Sequence, residues 1–263
     1  MMGPSHAVTG AAAWLLIAGS VPSTLGLIPD VDGPALGVGL IVAAGAALLP
    51  DIDHRNGTIA HSLPPISTVV ARVTEKVSGG HRKGTHSILG LVVAVAAAMA
   101  AAMIAVPVGG YGTYFVGAGI SAVLLSSFAI RAMDLVNGRF ATWLVSIALA
   151  LLVTLFGADN WAWFPAAVAV GYAAHLIGDL VTVGGIPVMW PIVVKSPKWW
   201  RKFPLLADVW KASGALSIPV LGKAGSTREK LLVSLLVTWM AWACTYQWAG
   251  INVLGWLKPI VEA

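Results

Sequence analysis

The sequence predicts an all-α membrane protein, a polytopic helical bundle with about seven apolar segments and a cytoplasmic N-terminus. Hydrophobic residues make up 58% of the 263 residues and charged residues only 10%, whereas charged residues form about a quarter of a typical soluble domain. Apolar runs recur along the whole chain, and most approach the length that crosses a bilayer. Basic residues concentrate in every second connection between these runs. These observations predict one integral membrane domain that covers residues 1–263.

Seven apolar segments follow one another along the chain, at about residues 7–20, 35–50, 87–106, 114–131, 140–156, 163–181 and 231–250. The first two are shorter than the roughly 20 residues of a full helical span, which leaves open a tilted, re-entrant or partly inserted arrangement. The first segment also lacks the positively charged start of a secretory signal, because no Lys or Arg precedes Arg55. We therefore expect an uncleaved first helix.

The basic residues indicate an orientation in the membrane. Fifteen of the 16 Lys and Arg residues lie within residues 51–86, 131–139 and 195–230, and only Lys258 lies elsewhere. Positively charged connections favour the cytoplasmic side, so these three stretches are predicted to face the cytoplasm. The net charge of +5 is then explained by the basic connections on the cytoplasmic side of the membrane. A nucleic-acid partner is therefore not expected.

One cytoplasmic connection, PPISTVVARVTEKVSGG, has the pattern of an amphipathic helix. Its apolar residues Ile66, Val69, Val70, Val73 and Val77 share one helical face, and charged residues lie off that face. This pattern is typical of a helix that lies on a membrane surface. We therefore predict a short surface helix between the second and third apolar segments.

Another cytoplasmic connection, KSPKWWRKFPLLADVWK at residues 195–211, mixes three Trp with five cationic residues. Aromatic rings and cations together are typical of segments at the depth of lipid headgroups. The composition is compatible with membrane anchoring alone or with the admission of a substrate, and a membrane lipid is an expected partner in both cases.

The scarce ionisable residues gather on the predicted cytoplasmic side. In HLIGDLVTVGG, His175 and Asp179 are four residues apart and therefore share one helix face. An imidazole and a carboxylate at this spacing can bind one metal ion together, or they can form a simple hydrogen bond. Because ionisable groups within membrane segments are costly and usually functional, metal binding is the favoured interpretation.

A second group of candidates lies in GGHRKGTHSILG, residues 79–90. His81 and His86 offer imidazole ligands, and Arg82 offers a planar guanidinium that suits a phosphate or a carboxylate. Thr85 is predicted to cap the helix that follows. An ordinary basic loop on the cytoplasmic side is the alternative.

A third group lies in LLPDIDH, at the end of the second apolar segment. Pro50 disfavours helical geometry at the preceding residue, so the backbone of Asp51 and Asp53 is predicted to be extended, with both carboxylates on one side. Two converging carboxylates repel each other unless a cation lies between them, although a solvated helix end is the alternative.

The single cysteine, Cys244, excludes a thiolate cluster. The ligand types therefore predict zinc or a similar divalent ion.

The three motifs resemble those of the YdjM-type membrane-bound metal-dependent hydrolases. LLPDIDH, GHRKGTHS and GYAAHLIGDLVTVGGIPVMWP match the family patterns LLPDxDH, GHRxxTHS and HxxxDxxTxxGxPxxWP in order, and His6 stands where the family has a histidine near the N-terminus. The resemblance extends over most of residues 5–204. The sequence departs from the family at Lys83 and Gly84, where Gly and an aromatic residue are common, and at TVGGIP, which replaces a common Thr-Pro. Both departures adjoin the motifs and leave the substrate open.

What the resemblance implies is a hydrolase that depends on bound metal, in the inner (cytoplasmic) membrane and of bacterial or phage origin. The family is in turn similar to zinc-dependent phospholipases C and single-strand nucleases, helical enzymes whose zinc ions are held by His and Asp. On this resemblance zinc is the expected cofactor, with manganese as the alternative. The motifs, which lie between residues 6 and 182, supply the expected ligands His6, Asp51, Asp53, His54, His81, His86, His175 and Asp179.

The expected reaction is hydrolysis of a phosphoester, with a lipid headgroup as one candidate substrate and a small soluble phosphoester as another. Metal ions of this kind activate water at neutral pH and stabilise developing negative charge. Asp53 or Asp51 is expected to act as the base, and Arg82 is expected to hold a phosphate oxygen.

Two functions of other classes remain open. A divalent-metal or proton-coupled transporter also places His and Asp in membrane segments, but it should carry polar groups on both sides. The outer side has few of them beyond Asp30, Asp32 and Asp159. A membrane protein in which a metal only ties helices together predicts a closed ligand shell.

Overall fold

A computed structural model of the chain describes residues 1–19, 31, 33–109, 112–156 and 161–249. Four residues named above for their charge, Asp30, Asp32, Asp159 and Lys258, lie outside these described residues. The described part is mostly helical, which agrees with the predicted all-α class, and one small hairpin is added to it.

The described residues form nine α-helices: α1 Gly3–Gly19, α2 Gly33–Ala46, α3 Ile66–Val77, α4 Ile88–Ala102, α5 Val116–Ala132, α6 Arg139–Phe156, α7 Trp163–Leu180, α8 Pro204–Val209 and α9 Thr227–Ala249. The hairpin consists of β1 (Val106–Val108) and β2 (Gly112–Tyr114), which pair antiparallel between α4 and α5. Two short 3-10 helices, Leu49–Asp53 and Gly84–His86, carry residues of the predicted site.

Each of the seven predicted apolar segments overlaps one helix, in the order α1, α2, α4, α5, α6, α7 and α9. Within the described residues, only the stretch Ala35–Asp53 is both long and apolar enough to cross a membrane, and 67% of it is buried inside the protein. The helices themselves are therefore confirmed. Seven spanning segments are not confirmed, and their number stays a prediction.

Helices α1, α2 and α7 form the centre of the fold, and α5 packs on α2. Gly10 of α1 and Gly171 of α7 both lie against the backbone of Ala43 in α2, where any Cβ atom would collide with it. Small residues of this kind let membrane helices approach closely. The close approach also sets His6 of α1 against His175 of α7, whose rings stack with their centroids 3.6 Å apart.

The start of α4 differs from the prediction. Ser87 caps this helix, since its hydroxyl accepts a hydrogen bond from the N–H of Gly90 at 3.2 Å. The prediction that Thr85 is the cap is wrong, because Gly84–His86 forms a separate 3-10 turn before the helix. The Thr85 hydroxyl instead donates to Asp53 Oδ2 at 2.6 Å.

The backbone of the LLPDIDH motif also differs from the prediction. Leu49–Asp53 is a 3-10 helix and not an extended segment, since the N–H of Asp51 donates to the Leu48 carbonyl at 3.1 Å. Pro50 fits in the first turn of this helix, where a missing N–H group leaves no bond unmade. Both carboxylates nevertheless point toward one side, because His86 lies close to each of them.

The predicted amphipathic helix is confirmed as α3. Its Ala71 is buried against the protein, whereas Val69, Val73 and Val77 on the apolar face are exposed, by 55%, 55% and 73%. An apolar helix face that the protein itself leaves open suits a position at a membrane surface.

Candidate metal centre

Four separate parts of the chain meet at one place. They are the start of α1, the 3-10 helix Leu49–Asp53, the segment from His81 to the 3-10 helix Gly84–His86, and the end of α7. Seven of the eight predicted ligands lie in three overlapping groups whose candidate ligand atoms are within 4.8 Å of one another: His6, Asp51, Asp53, His81, His86, His175 and Asp179.

The first group joins α1 and α7. His175 and Asp179 lie one turn apart, as their spacing predicts, with Nε2 and Oδ2 3.9 Å apart. His6 Nε2 lies 3.2 Å from Asp179 Oδ1, and all three side chains are almost completely buried. This group contains two imidazoles and one carboxylate, a ligand set typical of zinc.

The second and third groups share Asp51. Its Oδ1 lies 3.4 Å from His86 Nε2, which in turn is 3.2 Å from His175 Nε2. In the third group, His81 Nδ1 lies 2.8 Å from Asp53 Oδ1. Two donors bound tetrahedrally to zinc at its usual Zn–N distance lie roughly 3.3 Å apart, so the spacings around His86 suit donors to one ion.

Hydrogen bonds fix which nitrogen of two histidines carries the proton. His175 Nδ1 lies 2.7 Å from the carbonyl oxygen of Ala47, which can only accept, so Nδ1 is the donor. His86 Nδ1 lies 3.1 Å from Thr85 Oγ1, whose own hydrogen is donated to Asp53. In the neutral form of both rings, Nε2 then carries a lone pair.

These two lone pairs face each other. His86 Nε2 and His175 Nε2 are 3.2 Å apart in fully buried side chains. Two acceptors at this distance repel each other unless a cation, either a proton or a metal ion, lies between them. The carboxylates of Asp51 and Asp179 beside them supply the further ligands that a metal ion needs, and a second hydrogen bond that orients each histidine is usual in metal sites.

Unpartnered buried atoms support the same interpretation. Among the described residues, His6 Nδ1 and Asp179 Oδ2 are buried without a hydrogen-bond partner. Arg82 Nη2 lies 3.1 Å from Asp179 Oδ2, which is close enough for an ion pair, but the two atoms do not form a hydrogen bond. Buried polar atoms are normally hydrogen-bonded, and these two atoms offer positions to a divalent cation, although Asp179 also contacts the terminal ammonium of Met1.

Asp53 organises the loop that carries the other ligands. Its carboxylate is fully buried and contacts His81 Nδ1, the backbone N–H of Arg82 at 3.1 Å, and the Thr85 hydroxyl. The hydrogen bond with Asp53 raises the pKa of His81 above its ordinary value. Arg82 has a positive φ of 59°, and these contacts hold the backbone in that conformation.

One side of the cluster is open. Asp51, His81 and Arg82 keep 29%, 35% and 34% of their side-chain surface exposed, whereas the other ligands are buried. An approaching molecule would therefore meet a carboxylate, an imidazole and a guanidinium first. A site that only ties helices together would need no such opening.

The remaining histidines take different places. His54 lies next to His81, with ring centroids 4.7 Å apart, but it belongs to none of the three ligand groups found among the described residues. Its Nδ1 is buried without a hydrogen-bond partner. His61, which lies outside the motifs, is exposed at the end of the 3-10 helix Ile59–His61.

Sequence reasoning missed the supporting residues. Thr85 orients both Asp53 and His86, and the hydroxyl of Tyr172 donates to the carbonyl of Thr85. Glu229 at the start of α9 is 1% exposed and accepts from the N–H of Met2 at 2.8 Å, which fixes the segment before His6. The threonine stands inside a motif and could have been found there, but nothing in the local sequence marks Glu229.

The chain resembles known proteins over most of its length. It matches the family model described as YdjM inner membrane protein over residues 1–135 and 139–251. Two curated relatives named inner membrane protein YdjM, from Escherichia coli (strain K12) and Shigella flexneri, are each 25% identical to it over 195 residues. The alignments cover 74% of this chain and 61% of each relative, so the chain spans about three fifths of the relatives' length. No solved structure matches the chain.

Proposed function

We propose that this chain, which belongs to the YdjM family of inner membrane proteins, is a membrane-bound, metal-dependent hydrolase that cleaves a phosphoester. One observation carries the proposal. Two buried imidazole lone pairs, on His86 and His175, face each other at 3.2 Å with carboxylates beside them and an open side next to them. A divalent cation satisfies this set of ligands, and the opening gives a substrate access to it.

Family membership supports the predicted membrane location. Both relatives are inner membrane proteins of bacteria, whereas the phage origin expected as an alternative has no support in them. The proposed activity has a different basis, since the relatives' names state a location and no reaction. It depends on the chemistry of the residues described above.

Zinc is the proposed metal, with manganese as the alternative. The candidate donors are imidazole nitrogens and carboxylate oxygens, which suit zinc, and manganese accepts them too. Two groups that share His175 would hold metal at the buried end of the cluster, one with His6 and Asp179 and the other with Asp51 and His86. Asp51 also forms a third group with Asp53 and His81. We propose that this group holds an adjacent ion.

The residues at the open side are proposed to carry out the reaction. A bound divalent ion supplies an activated water at neutral pH and stabilises negative charge on phosphate oxygens. Of the two aspartates predicted as the base, we favour Asp51, because its carboxylate is partly exposed and that of Asp53 is buried with its oxygens in use. Arg82 is exposed enough to bind a phosphate oxygen through its guanidinium.

The active side is proposed to face the cytoplasm, as the positions of the basic residues predict. In a Cys244→Ser background, we expect Asn56→Cys to react with a membrane-impermeant maleimide only after cells are permeabilised. Gly109→Cys, which is likewise exposed but lies in the hairpin of the opposite connection, should react in intact cells. Labelling of Asn56→Cys in intact cells would overturn this orientation.

The proposed reaction is tested with purified protein that retains its metal. We expect cleavage of at least one member of a panel that contains phospholipid vesicles, nucleotides, single-stranded DNA and an isoprenoid phosphate. A chelator should abolish cleavage and added zinc or manganese should restore it. The His61→Ala variant is the control that should cleave as the wild type does, because this side chain is exposed and belongs to none of the three ligand groups.

Two results would contradict the hydrolase proposal. If protein with full metal occupancy cleaves no member of the panel, the metal has a structural role. If the protein in proteoliposomes instead carries metal ions across the membrane, it is a transporter.

A further inference from the structure

A large apolar groove lies beside the metal centre, between α3 on one side and α4, α5 and α7 on the other. Its volume is about 770 Å³, within the usual range of roughly 300–1,000 Å³ for ligand pockets. The apolar face of α3 forms one wall of this groove. Representative lining residues are Val70, Val73, Val93, Ala97, Leu125 and Phe164.

Six of the seven hydroxyl groups in the lining donate hydrogen bonds within the protein, and that of Thr74 is the exception. Ser62 donates to the carbonyl of Ile59 at 2.7 Å, and Ser67 donates to that of Ala60 at 2.9 Å. The Tyr172 hydroxyl donates to the carbonyl of Thr85. These groups therefore offer no spare hydrogen to a ligand, and the groove presents a hydrocarbon surface that suits a chain of methylene groups.

The groove and the metal centre share a wall. Gly84, Thr85 and Tyr172 line the groove, and Thr85 also donates to Asp53 and contacts His86. Trp190 lines the same end and packs over Gly84. Only Thr85 therefore separates this end of the groove from the proposed metal ligands Asp53 and His86. One molecule could occupy both sites, with its apolar portion in the groove.

Positive charge lies at this end of the groove. Arg82 and Lys83 directly precede Gly84, and both side chains reach the surface. The carboxylates of Asp51, Asp53 and Asp179 lie beside them, so the site is cationic once the divalent cation proposed above is bound. A dry groove that adjoins a cationic site matches an amphiphile with an anionic head.

We propose that this groove binds an acyl chain of a membrane glycerophospholipid whose phosphate headgroup lies at the metal centre, which would make a phospholipid the substrate. This inference rests on the proposed hydrolase function for the role of the lipid. The binding of the chain in the groove can be tested without any catalysis.

The test uses purified protein in phosphatidylglycerol vesicles, with a small fraction of the lipid carrying a photoreactive diazirine near the end of one acyl chain. Label should appear on peptides of α3 and α4 that line the groove. In Ala97→Trp, the indole ring would fill the groove, and labelling of these peptides should fall about tenfold. Displacing roughly two methylene groups of the acyl chain from the groove already costs enough binding free energy for a tenfold change. The control Ala96→Trp changes the neighbouring exposed residue, which lies outside the lining, and it should label as the wild type does.

Two further variants keep the test decisive. Val70→Trp fills the groove from the opposite wall and should act as Ala97→Trp does, and unchanged metal content in both would show that they fold. His175→Ala, which removes a proposed metal ligand, should keep the label in the groove. If it does while no phosphoester is cleaved by the wild type, the groove assignment stands and the hydrolase proposal fails.

Other results would overturn the groove assignment. Label spread evenly over all exposed apolar helices, or equal in Ala97→Trp and Ala96→Trp, would show ordinary contact with bulk lipid. In a separate experiment with a bifunctional cross-linker, a cross-link between α3 of one molecule and α4 of another would make a second copy of the chain the occupant. Cleavage of phospholipid without label in the groove would leave the hydrolase intact and refute the chain-binding site.

Discussion

Replacing His175 or Asp179 with alanine is expected to remove most of the metal from the purified protein. His175 takes part in two of the three ligand groups, and Asp179 completes the group formed with His6. Loss of Asp179 also leaves the guanidinium of Arg82 without its counter-charge beside the site, and that cation would then repel a metal ion. Substitution of residues that merely support a ligand lowers metal affinity about 10- to 100-fold, so loss of a ligand should exceed this range.

Elemental analysis of the purified variants measures this effect directly. His61→Ala is the matched control, because this histidine is exposed, lies outside the motifs and should leave the metal content unchanged. Asp179→Asn is a second useful variant, since it keeps the shape of the side chain and removes only the charge. Equal metal in the wild type, His175→Ala and Asp179→Ala would rule out this centre.

The candidate site was predictable where it depends on local spacing. His175 and Asp179 were expected to face the same way because a helix repeats every 3.6 residues, and they do. The backbone of Asp51 and Asp53 was predicted wrongly, yet the two carboxylates still converge near His86. Convergence there depends on how the 3-10 helix packs against the loop from residues 79–87, and spacing alone does not contain that information.

The supporting contacts could not be predicted in the same way. Thr85 was assigned to the next helix as its cap because cap preferences are local. Its actual partner, Asp53, is 32 residues away in the sequence, so the assignment requires the tertiary structure. The same holds for the hydrogen bond from His175 to the carbonyl of Ala47, which fixes the tautomer across 128 residues.

Helix positions followed from the apolar runs, whereas their relation to the membrane did not. The strong periodicity of α3 predicted both its existence and its exposed apolar face. The run that became α2 was equally clear, but most of the stretch Ala35–Asp53 is buried among other helices. An apolar run reports only that a segment avoids water, and neighbouring helices or lipid can both satisfy it.

Substituting Asp53 with asparagine is expected to lower hydrolysis by at least the roughly 10- to 100-fold that is typical of losing a residue that positions metal ligands, because we assign Asp53 a positioning role. Its two oxygens accept from His81, from the N–H of Arg82 and from the Thr85 hydroxyl. An asparagine would turn an NH₂ group toward some of these donors, so the loop would lose its anchor.

The comparison with Asp51→Asn separates the two roles. Asp53→Asn should lose metal and hydrolysis together, because the buried carboxylate both belongs to a ligand group and holds His81 and His86 in place. Asp51→Asn should lose metal as well, because Asp51 belongs to two of the ligand groups. Its kcat per bound metal should fall further than that of Asp53→Asn, because its partly exposed carboxylate is the proposed base. Metal content and kcat, measured on the same preparations with the phosphoester that the wild type cleaves, decide between them.

Full metal and full kcat in Asp53→Asn would show that Asp53 is not part of the site. An unchanged kcat in Asp51→Asn would show that a group other than Asp51 is the base.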